Sequence, residues 1–138
     1  MIKRCRWHQV VFMAAGLYNL TWALWAAFDP QWLFRFAAMP PLNYPEIFAC
    51  LGMVIGLYGL LYLEVARRPE NGWQIAAVGL SGKILGPLGW LYLFLQGHWP
   101  LATLVLCLGN DLIWWIPFGL YLYDALSLRW QQARGSGL

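Results

Sequence analysis

Charge is scarce in this chain. Only 11% of its 138 residues are Asp, Glu, Lys or Arg, while 61% are hydrophobic; soluble domains carry roughly a quarter charged residues. That deficit argues against a free globular domain. Histidine is scarcer still, with His8 and His98 alone. They fall at opposite ends of apolar segments, ~30 Å apart if those segments cross a bilayer, so they cannot jointly ligate a haem or metal. Cys5, Cys50 and Cys107 show no CxxC spacing, and His8 is the one histidine near any of them, three residues from Cys5; that lone pair indicates neither a zinc site nor a redox dithiol. Cys50 and Cys107 sit in apolar runs, where reduced, buried thiols are expected. There is no Gly-rich phosphate loop after a strand, no HExxH, no GxSxG and no carboxylate pair on one helical face, so the common catalytic motifs are missing. The sequence names no cofactor. The net charge of +3 comes from residues at segment ends; without a basic patch, nucleic acid is not an expected partner.

Long apolar runs are what the chain has instead. A transmembrane helix needs about 20 mostly apolar residues, and four segments qualify: 7–28, 46–66, 74–96 and 101–123. Helices are required, since no alternating strands are present to close a barrel. Asp29-Pro30, the 67–72 stretch RRPENG and the 97–100 stretch GHWP separate them. The expected fold is all-α, a single domain over 1–138 forming an antiparallel four-helix bundle in a membrane. Ten Trp, seven Tyr and seven Phe suit a chain that meets two membrane–water interfaces. The basic start followed by an apolar run resembles a signal peptide, but a run of about 22 residues exceeds the 7–15 of a signal core. A retained first helix is expected.

Loop charge sets the orientation. Lys3, Arg4, Arg6, Arg67, Arg68, Arg129 and Arg134 fall on one side of a four-span chain, and Arg35 alone on the other. The positive-inside rule then places both termini in the cytoplasm. Between the first two spans, QWLFRFAAM can lie along the outer leaflet on Trp32, Leu33 and Phe36, with Arg35 toward headgroups. It serves as a connector over the bundle mouth or as a lid. PPLNYP ends any helix there.

Deep inside the spans only Lys83 and Asp111 are charged, and an intramembrane ionisable residue is a functional-site hypothesis by default. At ~1.5 Å per residue, Lys83 lies ~14 Å deep, Asp111 and Asn19 ~18 Å, and Tyr58 ~12 Å. Each span therefore brings a polar group to one slab, with Asn110 beside Asp111. Lys83 and Asp111 stand on consecutive helices, so an ion pair between them is expected. It serves to fix helix register or to line a pocket for a headgroup, quinone, proton or substrate. Gly79, Gly82, Gly86 and Gly89 surround Lys83, and Gly52 and Gly56 form a GxxxG; such small residues let helices approach closely in lipid. Pro87 and Pro117 remove the donors that would reach the Lys83 and Ile113 carbonyls. Trp114 and Trp115 lie too deep for an interfacial belt and form either packing or an aromatic wall. Glu64 is expected in an interfacial salt bridge with Arg67 and Arg68.

The absence of a carboxylate in the first span sets the chain apart from the small four-helix multidrug exporters. The stretches GLYNLTWALWAAFDP, NYPEIFACLGMVIGLYG, GKILGPLG and NDLIWWIPF resemble those of a group of small bacterial four-helix membrane proteins without an assigned activity. The resemblance covers about residues 16–124 and implies a multi-pass protein of the bacterial inner membrane. It implies no catalytic residues. The leading expectation is binding of a lipophilic small molecule or lipid group at the polar layer of Asn19, Tyr58, Lys83, Asn110, Asp111 and Trp114. The alternatives are an accessory subunit packed on a membrane-protein partner or a second copy, and a small enzyme using Lys83 and Asp111 as an acid–base pair.

Overall fold

Helix accounts for every regular element among residues 2–135, the part of the chain that a computed structural model describes. Residues 1 and 136–138, the ends of the expected domain, lie outside the described residues. The elements are α1 (Cys5–Phe28), α2 (Trp32–Phe36), α3 (Pro45–Arg67), α4 (Trp73–Leu95) and α5 (Leu101–Gly135). Four of them, all but α2, are long and apolar enough to cross a membrane. The first three match the expected spans within a few residues. α5 runs well past the expected end at Tyr123, because the DALSLRWQQAR stretch keeps helix-forming residues with no Gly or Pro to stop it.

Local chemistry sets the ends. Pro45 opens α3 in its first turn, where its missing N–H is an orphan in any case. α4 closes with Gly97 at φ +73°, the His98 N–H reaching the Leu93 carbonyl at 3.0 Å and the Gly97 N–H reaching Phe94 at 2.9 Å. This reversal needs a left-handed residue, which glycine supplies without strain. α2 ends with the same pattern, Met39 to Phe34 and Ala38 to Arg35, but the left-handed residue is Ala38 at φ +52°.

α1 and α3 are held together by small residues. A Cβ added to Gly52 would fall 2.5 Å from Ala26 Cβ, and one on Gly56 would fall 2.7 Å from Ala23 Cβ. Farther along, Gly16 and Gly59 face each other's carbonyls. The GxxxG stripe is therefore a contact within the chain. α4 packs on α5. A fully buried aromatic cluster of Phe12, Tyr62, Phe118 and Tyr121 ties the two pairs together, with Phe12 ringed by Phe118 at 4.5 Å and Tyr121 at 4.8 Å.

In α2, Leu33 is buried against the bundle and does not share an outward face with Phe36. Leu33, Phe34 and Ala37 point inward, while Phe36 is exposed. Trp32 is half-buried against Trp22 and Trp25. Arg35 does not reach out freely: its guanidinium grips both oxygens of Asp29. A carboxylate six residues back is a fixed partner that a mobile headgroup cannot match. Those hydrogen bonds hold the Asp29 carboxyl below the usual carboxylate range.

Candidate functional site

Beyond the aromatic cluster the two helix pairs diverge. Between them lies a cavity of about 610 Å³, bounded by α1, α3, α4 and α5, with Leu33 of α2 at one end. This volume falls within the range of about 300–1,000 Å³ typical of small-molecule sites. Asn19, Tyr58, Lys83, Asn110 and Asp111 all line it. The polar layer that depth counting placed on four separate spans thus converges on one space. Trp114 does not line it; the indole packs against Tyr18 and Phe118.

The cavity exists because its walls lack side chains. Gly79, Gly82, Gly86 and Gly89 of α4 line it, and a Cβ on Gly82 or Gly89 would meet nothing within 4 Å. The remaining wall is apolar and aromatic, including Phe48, Trp22, Trp90 and Trp99. Trp90 is fixed from behind by donating its Nε1–H to Thr103 Oγ1 at 2.8 Å, and the Thr103 hydroxyl donates in turn to the Pro100 carbonyl at 2.7 Å.

α5 departs from regular helix where the polar residues sit. Cys107–Leu112 is a π-helical segment, in which the Ile113 N–H reaches back five residues to Leu108. One extra residue in the turn frees carbonyls that a regular helix would use, and such bulges recur at functional sites. Side chains occupy two of them. Trp114 Nε1–H donates to the Gly109 carbonyl at 3.1 Å, and the Lys83 ammonium donates to the Asn110 carbonyl at 2.6 Å. On α4, Pro87 has no N–H to offer the Lys83 carbonyl, as the sequence predicts, and Trp115 Nε1–H takes that place at 2.9 Å. α4 and α5 are thus laced in both directions at mid-length.

That lacing revises the expected ion pair. Among the described residues Lys83 and Asp111 form no contact salt bridge. The ammonium is committed to Asn110's backbone and sits over the rings of Trp114 and Phe118, 5.6 and 5.9 Å from their centroids. The Asp111 carboxylate rests on the bare Cα of Gly86, where a Cβ would lie 2.7 Å from Oδ2. Both the Asn110 carbonyl and Asp111 belong to the π-helical turn Cys107–Leu112. Among the described residues, the side chains of Asn19, Tyr58, Asn110 and Asp111 have no hydrogen-bond partner, although Asn19 is only 6% exposed.

A second polar cluster was not anticipated. Arg4 grips Asp124 through Nε at 2.8 Å and a terminal nitrogen at 2.7 Å, and His8 Nε2 meets the same carboxylate at 2.9 Å. His8 and Asp124 are buried. Beside them the Tyr121 hydroxyl donates to the Pro69 carbonyl at 2.5 Å, joining the α3–α4 loop to α5. The available signal was Asp124 itself, an acid following Tyr121 by three residues on an apolar helical stripe. Glu64 does pair with Arg67 and Arg68 as expected.

No protein-family model, curated protein or solved structure matches this chain.

Proposed function

We propose that this chain is an integral membrane protein that binds a lipophilic small molecule or lipid group in the cavity between its helix pairs. In this reading the four long helices form an antiparallel bundle, with both termini in the cytoplasm. Localisation to a bacterial inner membrane, and kinship with the small four-helix group that the sequence resembles, belong to the same proposal. The observation that carries it is the coincidence of an open cavity with polar groups lacking protein partners. Asn19 is buried, and Tyr58, Asn110 and Asp111 are half-buried. Four polar side chains without a hydrogen bond from the protein, facing one apolar space, favour a ligand that brings hydrogen-bonding groups on an apolar body.

The competing readings lose ground for specific reasons. The α3 glycine stripe that an accessory subunit would offer a partner is already covered by Ala23 and Ala26. For acid–base chemistry, the Lys83 ammonium is already engaged by the Asn110 carbonyl.

Native mass spectrometry of protein extracted in mild detergent tests the proposal. The unsubstituted protein should carry a non-protein mass that is absent from Gly82→Leu, whose side chain enters the cavity where nothing now stands. A bare protein in both cases, or an adduct indifferent to the substitution, overturns it.

A further inference from the structure

The inventory of charge in the cavity narrows the ligand class, given that the cavity is a binding site. Two ionisable side chains reach it. Lys83 is turned inward, its ammonium bonded to the Asn110 carbonyl at 2.6 Å and faced by two aromatic rings. Asp111 is the reverse case: the carboxylate lines the cavity, lies against glycine, and accepts no hydrogen bond among the described residues. Asn19, nine-tenths buried on the opposite wall, also lacks a partner. Aromatic rings complete the lining, with Trp22, Phe48, Tyr58, Tyr62, Trp90 and Trp99 around one space. Ring faces carry partial negative charge and attract cations, Trp most strongly.

We infer that the cavity takes a lipophilic amine, its ammonium donating to Asp111 and its apolar body lying along the aromatic wall. A carboxylate repels an anionic head and gains little from a neutral one. An ammonium supplies the donors that the carboxylate lacks, in a place where little water competes, and charge-assisted hydrogen bonds are about twice as strong as neutral ones. Asn19, across the cavity, is placed for a further hydrogen-bonding group on the same molecule. Lys83 makes no contact ion pair with the carboxylate, because its ammonium is bonded to the Asn110 carbonyl. The glycine wall of α4 gives room for an unbranched or ring-bearing body beside the charged head.

The test uses the full chain in nanodiscs of phosphatidylcholine, titrated with an ω-bromoalkylamine and with the ω-bromoalcohol of equal chain length. Bromine quenches the indoles of Trp22, Trp90 and Trp99 on contact, and each titration is corrected for partitioning into the lipid. The amine should bind at least about tenfold more tightly than the alcohol, the scale of one charge-assisted hydrogen bond. Asp111→Asn should bring the two probes together without weakening the alcohol, and Gly89→Leu should abolish saturable quenching by both. Equal binding of amine and alcohol, with both lost in Gly89→Leu, overturns the amine assignment and leaves the cavity reading intact. Absence of saturable quenching by either probe, or indifference to Gly89→Leu, overturns the cavity reading itself. Should Asp111→Asn fail to fold, the ratio of the two probes in the unsubstituted protein still decides.

Discussion

The glycines of this chain should respond to alanine with opposite signs, and the structure says which. Gly52→Ala places a Cβ 2.5 Å from Ala26 Cβ, where carbon atoms in contact prefer about 3.5–4.0 Å. Neither side of the seam is a flexible side-chain tip, so α1 and α3 must separate by about 1 Å or more. Overpacking of this kind costs typically 1–3 kcal/mol. Gly89→Ala meets nothing within 4 Å, and alanine in a helix interior is favoured over glycine by roughly 0.5–1 kcal/mol. For a chain of this length a change of 1 kcal/mol moves the melting temperature by about 4 °C. Thermal unfolding in detergent, followed by far-ultraviolet circular dichroism, should therefore show Gly52→Ala lower by roughly 4–12 °C and Gly89→Ala higher by about 2–4 °C. Shifts of the same sign in both variants would refute the division of the glycines into a packed seam and an open wall.

Other substitutions separate architecture from site. Asp124→Leu leaves buried His8 without its carboxylate, and loss of one partner from a buried charged cluster costs about 3–5 kcal/mol; a fall of less than 3 °C, against an expected fall of roughly 10 °C or more, would show that the cluster does not hold the helices. Lys83→Met removes the donor to the Asn110 carbonyl and should lower stability by about 1–3 kcal/mol, whereas Asp111→Asn breaks no hydrogen bond and should melt within about 2 °C of the parent. Equal losses in those two variants would point to a direct pair. Ala38→Gly relieves a left-handed alanine, a conformation that costs an L-residue about 1–2 kcal/mol, and should raise the melting temperature by a few degrees. A lower value there would place the cost of α2's end elsewhere.

Much of this arrangement was legible in the residues, because hydrophobic runs and helical rise are arithmetic. Counting along spans brought Asn19, Tyr58, Lys83, Asn110 and Asp111 to one depth, and one cavity receives all five. Depth, however, does not report azimuth. Trp114 shares the level and packs against Tyr18 instead of lining the cavity. The Lys83–Asp111 contact failed for a related reason, since regular rise assumes regular helix and the π-turn at Cys107–Leu112 adds a residue to the turn. Nothing in CLGNDL announces that bulge beforehand. Asp124 escaped notice because a window of bilayer length ended α5 at Tyr123, one residue short.

The grip of Arg4 and His8 on Asp124 also has a meaning in time. The partners are 120 and 116 residues apart, and all of that length is synthesised between one side of the contact and the other. Throughout that interval the imidazole of His8 must be solvated or otherwise accommodated, for its carboxylate does not yet exist. α1 can zip against α3 through their glycines as soon as both are made, but its end beside Arg4 stays untied until α5 arrives with Asp124.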